Sequence, residues 1–141
     1  MKTAATGLRV FVGLDGLILI TLGLLFWSGN ADSLIPVHML LGIALVLALW
    51  TLAVLAAIAR VNLALVVVAA LWGFVVPILG LTQTRLLPGA AHWLIQLLHL
   101  LVGLTAIALA QILAQRIARH QSRPPVGQHA TQSGALEGSA G

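Results

Sequence analysis

The chain has no cysteine, and its charged residues make up only 7% of 141 positions. Without cysteine there is no disulfide, no thiolate metal site and no covalent cofactor attachment through a Cys-x-x-Cys-His motif, so anything bound is held non-covalently. Acids are scarcest: Asp15, Asp32 and Glu137 are all there are. No second acid accompanies Asp15 in the apolar segments. Nothing alternates between apolar and polar as a barrel strand would, which argues against a β-barrel.

What is present is apolar residue, 60% of the chain, a composition suited to lipid. Four segments, 10–27, 34–59, 63–82 and 90–113, are long enough to cross roughly 30 Å of hydrocarbon. Backbone polar groups must be satisfied within each segment there, so the segments read as helices. The expected architecture is all-α: an integral membrane four-helix bundle over residues 1–119, followed by a disordered cytoplasmic tail over 120–141 rich in Gly, Ser, Gln and Ala. Lys2 and Arg9 with Gly29-Asn30-Ala31 imitate a cleaved leader, but the apolar stretch is longer than a leader core and Asp15 interrupts it, so the first segment is read as a span.

The net charge of +4 comes from arginines near helix ends, a topology signal and not a nucleic-acid surface. Lys2, Arg9, Arg60, Arg116, Arg119 and Arg123 oppose Arg85 alone, which predicts both termini and the Arg60 turn in the cytoplasm of a bacterial-type inner membrane. The short Arg60-Val61-Asn62 connection makes spans two and three antiparallel neighbours. Trp27 and Trp93 flank connections as an aromatic belt would, and Pro77 is expected to kink the third span. Asp15 reads as an acid near the inner interface, solvated or paired with Arg60; a proton-relaying acid is the sharper alternative.

Two stretches share a spelling. His38-Met39-Leu40-Leu41-Gly42 and His99-Leu100-Leu101-Val102-Gly103 each place a glycine one helical turn beyond a histidine, on the same face. Leu22-Gly23-Leu24 precedes the first and Leu79-Gly80-Leu81 the second, and each is followed by a connection containing proline, Pro36 or Pro88. The chain therefore reads as two related helical hairpins. Gly23 to His38 is 15 residues and Gly80 to His99 is 19, so the second carries about one extra turn.

An imidazole beside a missing side chain suits a planar macrocycle that needs an axial ligand and close approach to the backbone, as heme does. Histidines on nonadjacent spans can supply both axial positions, and the repeat-equivalent pair is His38 with His99. A rival pair exists. Counted from Arg60 and Arg116, His38 lies 22 residues in, His92 24 and His99 17, so depth alone selects His92. His92, Gln96, His99 and Gly103 share one face of the fourth span; His92, Gln96, Gln83 and Arg85 are candidate partners for propionates. The bland reading makes the histidines interfacial and Gly42 and Gly103 small-residue packing sites.

The run Leu79-Gly80-Leu81-Thr82, Leu87-Pro88-Gly89 and Leu97-Leu98-His99-Leu100-Leu101 resembles the third and fourth helices of a half-domain of the heme A synthase family, and His38-Met39-Leu40-Leu41-Gly42 resembles its histidine-bearing second helix. The resemblance implies a four-helix unit with one heme b site ligated by His38 and His99, alone or as a homodimer imitating the family's two halves. That family's active half carries a glutamate three residues before the helix-two histidine and commonly an arginine after it. Here those positions are Ile35 and Met39, so electron transfer or heme handling is expected rather than methyl oxidation. Two rivals stand beside this cytochrome: a cofactor-free accessory subunit of a larger respiratory or other membrane complex, and an outward-facing Cu or Zn site of His38, His92 and His99.

Overall fold

The computed structural model describes residues 2–120, and the described residues are helical apart from short connections. Four long helices follow one another: α1 (Lys2–Trp27), α2 (Ile35–Ile58), α3 (Leu63–Thr82) and α4 (His92–His120). All four are long and apolar enough to cross a membrane. The spans expected at 34–59 and 63–82 are α2 and α3 almost residue for residue. Helix α1 starts eight residues earlier than expected and α4 runs seven further, because helix-forming Lys, Ala, Leu and Arg precede the apolar stretch of α1 and Ala, Gln and Arg follow that of α4. Apart from His120, which closes α4, the expected tail lies outside the described residues.

The ends are set by local chemistry. Pro36 lies in the first turn of α2, where its missing N–H would have no partner in any case. Helix α2 stops where Arg60 adopts φ 56, and the N–H groups of Arg60 and Val61 return to the carbonyls of Ala57 and Ala56. Asn62 then caps α3, its Oδ1 accepting from the N–H groups of Ala64 and Leu65 at 2.9 and 3.4 Å. Pro77 lies inside α3, which continues through it.

Helices α2 and α4 pack against each other, and each also packs against both α1 and α3, so the two histidine-bearing helices form the middle of the bundle. Each helix buries one stripe at alternating spacings of three and four: Val12, Asp15, Leu19 and Leu22 on α1; Leu45, Leu49, Leu52 and Ala56 on α2; Val66, Ala69, Gly73 and Val76 on α3; Val102, Ala106, Leu109 and Leu113 on α4. The apolar residues facing outward, such as Leu14, Leu40, Leu63 and Leu81, are more than half exposed, as lipid-facing side chains are. Two tryptophans stitch neighbours together. Trp50 on α2 donates to the carbonyl of Ala70 on α3, and Trp72 on α3 donates to that of Val102 on α4, both at 3.0 Å.

Candidate functional site

His38 and His99 meet. His38 lies on the buried stripe of α2, one turn before Leu41 and seven residues before Leu45, and His99 holds the matching place on α4 before Val102 and Ala106. Their ring centroids are 6.3 Å apart with the planes inclined at 52°. The depth count that selects His92 fails because Arg116 does not mark the end of its helix. Measured to the helix ends, His38 is 20 residues from Ile58 and His99 is 21 from His120, which brings the two to one level.

The walls of this pair come from the other two helices. A Cβ placed on Gly23 of α1 would lie 4.0 Å from Cε1 of His38, and one on Gly80 of α3 would lie 3.4 Å from Cε1 of His99. The glycines of the repeated Leu-Gly-Leu segments therefore face the histidines of their own halves. Phe26, one turn beyond Gly23, meets the His38 ring edge-on at 5.4 Å and 74°. Gly42 and Gly103, read from sequence as the notches beside the imidazoles, are part-buried, and a Cβ at either would meet nothing within 4 Å. The contact glycines were thus visible in the sequence only as markers of a repeat, and Phe26 carried no signal at all.

Chemically the pair is unfinished. Both Nδ1 atoms are buried with no hydrogen-bond partner. Leaving such a group unsatisfied costs about 1–3 kcal/mol, so two of them side by side point to a missing partner. Two imidazoles on facing helices of a bundle are a donor set that could hold a heme iron.

The remaining candidates lie elsewhere. His92 opens α4 and its Nδ1 is 3.2 Å from the carbonyl of Leu86, tying the helix to the connection before it. Among the described residues no three His, Cys, Asp or Glu side chains gather to hold a metal ion, so the three-histidine Cu or Zn shell is not assembled. Arg85 is exposed in the short 3-10 turn Gln83–Arg85, and Gln96 is part-buried on α4 between His92 and His99. Asp15 is neither solvated nor paired with Arg60: it is 3% exposed and both carboxyl oxygens lack a hydrogen-bond partner. Trp27 and Trp93 are 42% and 50% exposed at the ends of their helices, while Trp50 and Trp72 point inward to the carbonyls described above.

Comparison of the chain with known protein families, with characterised proteins and with solved structures finds no match.

Proposed function

We propose that this is a small membrane cytochrome in which His38 and His99 hold one heme b, serving electron transfer or heme handling. The observation that carries the reading is the meeting of two part-buried imidazoles at 6.3 Å, each with an orphaned nitrogen, on the two central helices. The matched contacts of Gly23 with His38 and Gly80 with His99 support two related hairpins, each contributing one ligand and one glycine wall. The arginine asymmetry supports both termini and the Arg60 turn in the cytoplasm, with the histidines toward the outer leaflet.

His38 and His99 would hold a heme b, which would supply one-electron transfer when bound. The chain's own contribution is to fix both rings from opposite helices and surround them with apolar wall. With Ile35 and Met39 at the positions where the heme A synthase family has its acid and arginine, the resemblance carries over as heme holding without methyl oxidation.

The test is an absorption spectrum of the full chain purified in detergent from cells supplied with heme, oxidised and dithionite-reduced. A six-coordinate low-spin spectrum is expected, lost in His38→Ala and His99→Ala and retained in His92→Ala. Loss in His92→Ala with retention in His99→Ala would overturn the ligand pair. A colourless protein would overturn the cytochrome and leave a cofactor-free accessory subunit.

A further inference from the structure

Asp15 is the one acid buried among the described residues, and nothing in the fold answers it. It occupies a place in the buried stripe of α1, seven residues after Leu8 and seven before Leu22, where a leucine would complete the pattern. Helices α2 and α4 pack against α1. From α2 the only titratable side chain is His38, and from α4 the inward one is His99, both further along the bundle toward Gly23. In the other direction Arg9 donates to Gln111 at 3.0 Å, while Arg116 and Arg119 are exposed beyond it on α4. Along the α1 axis, Arg9 is six residues from Asp15 and Gly23 eight, or roughly 9 and 12 Å.

This placement eliminates most roles for the carboxyl. A partner's basic residue cannot reach a group enclosed by its own chain. A metal cation needs several ligands, and the described residues offer no cluster of three. A proton is the cation that a lone carboxyl can bind unaided, and an uncompensated ionic carboxyl inside a bundle is costly enough to make its proton sensitive to any other charge nearby.

We propose that Asp15 is a redox-linked proton acceptor: its carboxylate takes up one proton when the iron held by His38 and His99 gains one electron, and releases it on reoxidation. The inference rests on the heme reading above. The balance is simple. One electron from an external one-electron donor converts ferric to ferrous iron, one proton from water forms the O–H bond of the Asp15 carboxyl, and the net charge inside the bundle is unchanged. Asp15 is the group placed to do this, since it is the one buried acid among the described residues and the histidines are engaged as ligands.

The experiment is a redox titration of the heme-loaded full chain in lipid nanodiscs between pH 5 and 9, with dithionite and ferricyanide, beside reduction-induced infrared difference spectra. For the native chain the midpoint potential should fall as pH rises, by at most about 59 mV per tenfold change in proton activity, and reduction should bring up a carboxylic acid C=O band. Asp15→Asn and Asp15→Leu should flatten the slope and remove the band. Leucine completes the apolar stripe, so Asp15→Leu should also unfold at a higher temperature than the native chain, which keeps the test open if the asparagine variant folds poorly. A coloured protein whose slope and band are the same with Asp15 replaced overturns this inference alone; a colourless one overturns the cytochrome and this inference with it.

Discussion

Gly16 and Gly73 both lie on buried stripes, yet they should respond oppositely to alanine. A Cβ on Gly16 would lie 2.6 Å from Cδ1 and 3.0 Å from Cγ1 of Ile107, a side chain whose χ1 rotation moves both atoms away. A Cβ on Gly73 would meet Nε1 of Trp50 and lie 2.9 Å from its Cδ1, and that ring is fixed by its bond to the Ala70 carbonyl. Gly73→Ala should therefore lose about 1–3 kcal/mol of stability, while in Gly16→Ala a helix-propensity gain of about 1 kcal/mol offsets the rotamer shift. Thermal unfolding in micelles followed by tryptophan fluorescence separates the two. At the histidine pair, Gly80→Leu should displace the His99 ring and abolish heme binding, whereas Gly103→Ala, with nothing within 4 Å, should keep it; heme absorbance per chain reads both. The sequence showed Gly103 and Gly80 equally plainly. Which one touches an imidazole depends on how α3 packs on α4, a relation between helices that one strand of letters does not state.

At the scale of the helix, the connections and crosslinks decide stability more than the apolar faces, since lipid competes equally for those. Trp72→Phe keeps an aromatic ring but removes the indole N–H that donates to Val102 and leaves a small void, and should cost about 1–3 kcal/mol. Asn62→Ala should cost about 1 kcal/mol by uncapping α3. Denaturation monitored by circular dichroism checks both. The four helices were legible because runs of apolar residue between Gly, Pro and charged connections leave few alternatives. Their ends were less so: α4 continues through Arg116 and Arg119 to His120, and that extra length is what carries His99 rather than His92 to the level of His38. The buried Asp15 was equally illegible, because its distance from Arg9 is the same whether it faces water or the core.

For the whole molecule, the lack of cysteine is an experimental asset. Single cysteines at Asn30 and Gly89, in the first and third connections, should react with an impermeant maleimide from outside intact cells, and one at Arg60 only after permeabilisation. The reverse pattern would invert the orientation read from the arginines. Below the histidines the bundle is closed: Val12, Leu45, Leu49, Leu52, Leu113 and Ile117 are the largest fully buried side chains, drawn from three helices. Asp15 is the one charged group in that packed layer, which leaves no continuous polar path for a salt ion along the bundle axis, so vesicles containing the protein should hold a salt gradient as tightly as bare lipid does.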